Sequence, residues 1–335
     1  MAVVEKKNGA VRICIDPQPL NKALKREHYK MPILDDLLPE LQSSRLFSKL
    51  DVREAFYHVK LDEKSADLTT MITPFGRYRW KRLPFGLSVS SEIFQRRLNE
   101  ALKGLHGCIN VADDIIIHGR SVEEHDRNMK ELTARCNERK ILLNEGKACL
   151  KRTEIDFLGH VIGANGVKPD PNKVKATLDM PAPEDVAGVR RFCGIIQYLA
   201  RFIPNLSKSA EPLRALTRKD IEFKWSRDCQ DKFLELKEKV AKATTLKYFD
   251  PSEPLSLQVD SSVDGMGAVL LQKGMPIEYA SRSLTKTQQK WVAVVFGLER
   301  FHQYTYGRPI SIENDHKPME MILNKPLRHP RDYKI

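Results

Sequence analysis

The sequence lacks paired cysteines: Cys14, Cys108, Cys136, Cys149, Cys193 and Cys229 are scattered over 335 residues, with no Cys-x-x-Cys and no Cys/His cluster. A disulfide framework and a zinc site are thereby excluded, and reduced thiols in an intracellular protein are expected. No apolar run approaches the roughly 20 residues needed to span a bilayer. The opening Met1-Ala2-Val3-Val4-Glu5-Lys6-Lys7 has no apolar core of a signal peptide, so neither a membrane partner nor secretion is expected. Internal repeats, coiled-coil heptads and low-complexity tracts are also missing. Acid is in short supply, with 44 Asp and Glu against 56 Lys and Arg, a formal charge of +12. That imbalance favours a polyanionic partner, nucleic acid before a membrane surface. What is present is ordinary for a globular protein, 41% apolar and 30% charged, and long enough for two or three domains with proper cores.

Periodicity gives a mixed order of short strands and helices. Strands are expected at Val3–Lys6 and Val11–Ile15 around an Asn8-Gly9 turn, then at Leu46–Leu50 and Phe157–Ile162. Helices are expected at Ser90–Leu105, with Phe94, Leu98, Ala101 and Leu105 on one stripe, and at Glu123–Lys140. The run Gly166-Val167-Lys168-Pro169-Asp170-Pro171 reads as a boundary. Helices at Val186–Phe202 and Asp228–Ala243 follow, then strands at Leu255–Val259, Gly267–Leu271, Ile277–Ala280 and Ile310–Glu313. Between Lys168 and Lys247 there are 17 Lys and Arg against 11 Asp and Glu, half of the surplus charge, where phosphates of a duplex could be gripped. Solvated helix faces explain the same charge equally well.

The most informative letters are Asp113 and Asp114, adjacent carboxylates inside the apolar run Ile109–Ile117. Neighbouring carboxylates repel each other and resist desolvation, so something must compensate them. A divalent metal at a strand-to-strand turn does so, and a third carboxylate would complete a two-metal site for phosphoryl transfer. Asp51 offers one, at the end of a strand and directly before the helical pattern Val52-Arg53-Glu54-Ala55-Phe56. Taken singly, Asp51 is more readily a helix N-cap.

The ordered set is more specific. Asp51 is followed by Arg82-Leu83-Pro84-Phe85-Gly86-Leu87-Ser88 opening a helix, by Asp113-Asp114, and by Phe157-Leu158-Gly159-His160-Val161. Arg12-Ile13-Cys14-Ile15-Asp16-Pro17, Leu20-Asn21-Lys22, Arg26-Glu27-His28-Tyr29, Arg191-Phe192-Cys193-Gly194 and Arg201-Phe202-Ile203-Pro204-Asn205 extend it. In this order the segments resemble the reverse transcriptases of long-terminal-repeat retrotransposons of the Ty3/gypsy group, over essentially the whole chain.

The resemblance implies an α+β and α/β multidomain chain. Fingers and palm of a right-hand polymerase would occupy residues 1–165, a helical thumb and connection 166–250, and an incomplete ribonuclease H-like domain 251–335. It implies RNA-directed DNA polymerase activity on an RNA or DNA template with a primer, using dNTPs. Two Mg²⁺ ions, with Mn²⁺ as a substitute, would sit on Asp51, Asp113 and Asp114. Lys6 and Arg12 would contact the incoming triphosphate. Phe56 would lie under the sugar and exclude a 2′-hydroxyl, and Phe85 and Gly86 would line the nucleotide and template pocket. Phe157-Leu158-Gly159 would begin the primer grip. Val111 departs from the pattern, since many relatives have tyrosine there. The oligomeric state is left open, and localisation is expected to be a cytoplasmic particle or the nucleus.

Asp260, at the end of an alternating strand, and Asp315 match two metal-binding carboxylates of the ribonuclease H domain of that family. There the pattern breaks. Relatives carry further residues before the helix Val292–Phe301, including a catalytic glutamate, and Lys290 falls where that glutamate belongs. An ammonium in place of a metal ligand repels Mg²⁺, so RNA cleavage is expected to be absent or very weak. The resemblance also implies residues before Val3 and after Ile335, making this a truncated copy. The alternative is a decayed or co-opted fragment that only binds nucleic acid.

Overall fold

The computed structural model describes residues 2–5, 9, 11–219, 221–261, 265–283 and 292–314. The chain divides into two compact units, Met1–Leu158 and Gly159–Ile335.

In the first unit, four antiparallel strands form a sheet in the order Cys108–Val111, Asp114–Gly119, Leu46–Asp51, Cys149–Arg152. Ile115, Ile116 and Ile117 are all fully buried, so the central Asp114–Gly119 strand is covered on both faces. Helices Ser90–Leu102 and Val122–Arg139 lay Phe94, Leu98, Leu102, Leu132 and Cys136 onto Leu50, Ile115 and Ile117. Burying each of these large side chains stabilises by about 1.5–3 kcal/mol. The second helix starts where Ser121 accepts a hydrogen bond from the Glu124 N–H (3.2 Å), with Glu123 and Glu124 in its first turn, and stops at a left-handed Lys140. Two serine–histidine pairs are buried with the sheet, Ser44–His118 (2.8 Å) and Ser48–His125 (2.9 Å). Ala2–Glu5 and Val11–Cys14 form a separate antiparallel pair.

In the second unit, His160–Gly163 and Gly166–Pro169 form a hairpin followed by helices Pro171–Asp179, Val186–Tyr198, Leu206–Ala215 and Arg227–Ala241. Asp170, Asp185 and Ser226 cap three of them. Phe192 and Phe233 meet with ring centroids 4.6 Å apart in their core. A four-stranded sheet follows in the order Met275–Ser283, Gly265–Gln272, Leu255–Ser261, Ile310–Asn314. Its first three strands are an antiparallel meander, whereas Ile310–Asn314 runs parallel to Leu255–Ser261. Helix Val292–Arg300 precedes that parallel strand, and Val294, Phe296 and Leu298 pack on the core of Leu257, Leu270 and Phe301.

Two expectations are corrected. The run Phe157–Ile162 is not one strand: the chain turns at Leu158 (φ 48°) and Gly159 (φ 76°), between Glu154–Phe157 and His160–Gly163. Apolar residues on both sides of a two-residue turn hide it from periodicity. Gly166–Pro169, part of the run read as a boundary, is a paired strand. Gly166 is required there at φ 125°, because a Cβ would lie 2.0 Å from the Leu246 carbonyl oxygen, and Val167 and Leu246 exchange both backbone hydrogen bonds. The helix through Phe202 ends at Tyr198 and tightens into a 3₁₀ turn, Ala200–Phe202.

Candidate active site

Asp51 ends the Leu46–Asp51 strand and is the direct cross-strand partner of Asp114, which begins the next strand. Asp113 precedes it at the tip of the Cys108–Gly119 hairpin, and its carbonyl accepts the Val52 N–H at 2.7 Å. The three aspartates singled out in the sequence are thus brought to one end of the sheet. Like charges directly opposite are destabilising in an antiparallel pair, and Asp51 and Asp114 each find an ammonium. Lys49 Nζ lies 2.8 Å from Asp114 Oδ2, and Lys147 Nζ lies 3.1 and 2.9 Å from the two oxygens of Asp51. Asn144 Nδ2 also donates to Asp51 Oδ1 (3.3 Å), and the Asn144 N–H to the Asp51 carbonyl (2.8 Å). Burial pushes the Asp114 carboxyl above its ordinary value, Lys49 pulls it back, and Asp113 and Asp51 add to the rise.

The donor chemistry suits a hard divalent cation, three carboxylates at the edge of a sheet. Yet among the described residues no group of three or more His, Cys, Asp or Glu is gathered closely enough to hold a metal. Asp51 and Asp114 are instead turned onto their lysines. The Lys147 side chain is 63% exposed, so it can swing into solvent without unpacking anything.

The hairpin tip is held from beneath. Ala112 adopts a left-handed φ of 51°, and its N–H donates to Gln95 Oε1 at 2.6 Å. Gln95, fully buried, donates through Nε2 to the Asn110 carbonyl and to Asn99 Oδ1, both at 3.0 Å. Asn110 Nδ2 donates to the same Asn99 oxygen (2.7 Å), and Asn99 Nδ2 to Tyr29 (2.6 Å). No motif points to this network, nor to Asn144 or Lys147. Lys49 was legible, because residues two apart on a strand share a face and Lys49 stands two before Asp51.

Phe56 and Phe85 meet, ring centroids 4.6 Å apart, with Phe94 against Phe56 at 5.8 Å. Phe56 sits in the 3₁₀ turn Ala55–His58, entered through a left-handed Glu54. Gly86 is required by space: at φ 110°, a Cβ would fall 1.9 Å from the Ile15 carbonyl oxygen. The Ile15 N–H donates to the Phe85 carbonyl (2.9 Å), and Asn21 bridges the Gly86 carbonyl and the Ser88 N–H, both at 2.9 Å. The strand bearing Arg12 is thereby joined to Phe85 through the Cys14–Phe85 bridge. Lys6 lies outside the described residues.

In the second unit Asp260 stands near the end of Leu255–Ser261, opposite Gly267. Asn205 Nδ2 donates to Asp260 Oδ2 at 3.4 Å, and a Cβ on Gly267 would come 1.8 Å from Asn205 Oδ1. A cavity of about 760 Å³ runs past Asp260, Asn205, Gln258, Tyr279 and Glu313. Asp315 and Lys290 lie outside the described residues. The six cysteines are free thiols, and among the described residues no helix is long and apolar enough to cross a membrane.

Residues 4–162 match the family "Reverse transcriptase (RNA-dependent DNA polymerase)", and residues 225–312 match "RNase H-like domain found in reverse transcriptase". The retrovirus-related Pol polyprotein from transposon 412 of Drosophila melanogaster is 32% identical over 326 residues, 93% of this chain and 26% of that protein. The transposon Tf2-3 polyprotein of Schizosaccharomyces pombe is 28% identical over 331 residues, 94% of this chain and 25% of that protein. The chain therefore spans about a quarter of the length of these relatives. A foamy viral protease-reverse transcriptase solved in complex with double-stranded DNA shares the fold, with TM-score 0.88, 23% identity and coverage of 97% of this chain and 59% of that one. A second such complex gives TM-score 0.85 at 23% identity, covering 97% of this chain and 71% of that one. With its two family matches in this order and Pol polyproteins similar over nearly its whole length, the chain belongs to the reverse transcriptase and RNase H-like region of Ty3/gypsy-type retrotransposon Pol polyproteins.

Proposed function

We propose that this chain extends a primer along an RNA or DNA template, joining a dNTP to the primer 3′-hydroxyl and releasing pyrophosphate. The observation that carries this is the convergence of Asp51 and Asp114 as direct strand partners, with Asp113 at the adjoining tip. Asp51, Asp113 and Asp114 would hold two Mg²⁺ ions, or Mn²⁺, which when bound activate the hydroxyl and neutralise the triphosphate. The protein's own contribution is positioning. Gln95 fixes the tip, Asn144 fixes the end of the Asp51 strand, and Lys49 orients Asp114. Phe56, braced by Phe85 and Phe94, presents a flat ring under the sugar and excludes a 2′-hydroxyl. Phe85 and Gly86 line the nucleotide pocket, with Arg12 and Lys6 on the triphosphate. Residues 1–165 serve as fingers and palm, 166–250 as thumb and connection, and 251–335 as the RNase H-like domain, working inside the cell. The RNase H-like domain cleaves RNA very weakly or not at all: Lys290 falls near where the family has a metal-binding glutamate, and Asn205 Nδ2 donates to Asp260.

The test is Mg²⁺-dependent primer extension that disappears in Asp113→Asn. A folded preparation that extends nothing with Mg²⁺ or Mn²⁺ refutes the proposal. A second reading, a catalytically silent nucleic-acid binder, is favoured by the Lys147–Asp51 ion pair. It expects salt-dependent primer–template binding that Asp51→Asn leaves unchanged and no extension at any metal concentration.

A further inference from the structure

The first unit contains a cavity of about 960 Å³ whose wall begins at Val52, the residue after Asp51. Among the described residues, neither Phe56, Phe85 and Gly86 of the proposed nucleotide pocket nor any of the three aspartates lines it. Its apolar floor comprises Val52, Val59, Phe94, Leu98 and Ile141. Its rim is strongly basic. Arg53, Lys60, Lys81, Arg82 and Lys140 all line it, all are exposed, and none is ion-paired among the described residues. Three further arginines of the rim are matched by carboxylates: Arg79 with Asp67, Arg97 with Glu100 and Arg139 with Glu138. Among the described residues, Glu54 is the one carboxylate in the lining. Tyr57 and Trp80 supply aromatic surface, stacked on each other with centroids 5.7 Å apart and planes 21° apart.

Five cations with no carboxylate partner among the described residues, of which Arg82 donates to the His58 carbonyl (3.2 Å), repel each other around one concavity, and an anion that enters relieves that repulsion. The volume falls within the range of about 300–1,000 Å³ typical of a pocket for a single small ligand, rather than a groove that tracks a strand. Arginine and lysine together match phosphate oxygens, and the aromatic wall matches a base. We propose that this cavity is a second nucleotide site, which takes a nucleoside triphosphate or a related mononucleotide polyphosphate independently of the polymerase metals. The phosphates lie among Lys60, Lys81 and Arg82, and the base lies against Tyr57 and Trp80. The site shares backbone with the catalytic strand end, since the Arg53 N–H donates to the Leu142 carbonyl (2.8 Å) and both residues line the cavity. The proposal stands apart from the polymerase reading, and its test needs no catalysis.

The full chain is titrated with N-methylanthraniloyl-ATP in EDTA, read by fluorescence anisotropy. Saturable binding is expected, weakened about tenfold or more in Lys60→Glu/Lys81→Glu, since charge-assisted phosphate contacts are among the stronger hydrogen bonds. A matched reversal at exposed positions outside the cavity, Arg127→Glu/Lys130→Glu, is expected to leave affinity within about twofold, which separates local contact from net charge. Asp113→Asn is expected to bind the probe as tightly as wild type. Inorganic tripolyphosphate is expected to compete more weakly than ATP, because it leaves the aromatic wall uncovered. Any of four results overturns the proposal. These are no saturable binding, equal loss in the two double variants, loss in Asp113→Asn, or displacement by single-stranded oligothymidylate at a lower nucleotide concentration than ATP needs.

Discussion

Replacing Gln95 by leucine removes the clamp beneath the hairpin that carries Asp113 and Asp114, while keeping its approximate volume. The Ala112 N–H would lose its acceptor at 2.6 Å, and the Asn110 carbonyl and Asn99 would lose a donor at 3.0 Å. An unsatisfied N–H in a partly buried place costs about 1–3 kcal/mol, and each hydrogen bond forgone costs about 1 kcal/mol. Leucine recovers part of this through apolar burial, so a net loss of about 2–4 kcal/mol is expected. The tip also holds Ala112 left-handed at φ 51°, an arrangement that costs a non-glycine residue about 1–2 kcal/mol. Without its clamp the tip relaxes and carries Asp113 and Asp114 with it. A displacement near 1 Å is enough to lower turnover by about 10²-fold. Urea unfolding reads the stability, and single-turnover primer extension reads the rate. Gln95→Glu still accepts from Ala112 but cannot donate to Asn110, and should fall between the two. Ala112→Gly should recover about 1 kcal/mol in either background by removing the left-handed cost. Wild-type turnover in Gln95→Leu, with stability within about 0.5 kcal/mol of wild type, would refute the clamp.

The buried His118 has its pKa pushed down to about 4 by burial, with its Nδ1 against Ser44. Its folded value lies below its unfolded one, so stability is full above pH 6.5 and falls as pH drops toward 4. A loss of about 2 kcal/mol between pH 7 and pH 5 is expected, and chemical denaturation of His118→Gln at the two pH values should lack that component. Gly86→Ala places a methyl 1.9 Å from the Ile15 carbonyl oxygen at φ 110°, and should cost about 3 kcal/mol or more. Limited proteolysis after residue 15 and a raised KM for dNTP would report it, and unchanged protection would contradict it. Lys147→Ala removes the ammonium on Asp51, so half-maximal extension should occur at a lower Mg²⁺ concentration; an unchanged or higher requirement would show that Lys147 does not compete with the metal.

The sequence by itself determined which carboxylates stand out and the order of parts. Asp113 and Asp114 were conspicuous because two charges in a run of isoleucines demand compensation, and Asp51 because a strand ends on it. Periodicity also located helices Ser90–Leu102, Val122–Arg139 and Arg227–Ala241 to within a few residues, since each has a single buried stripe. It failed at Leu158-Gly159, where apolar residues flank a tight turn. Only the tertiary structure decided what compensates the aspartates and what shapes their tip. Lys147 reaches Asp51 from 96 positions away, and Gln95 reaches Ala112 from a helix facing the hairpin. Such contacts depend on register and packing between distant segments. A carboxylate announces its need for a partner in the sequence, but the fold chooses which partner arrives.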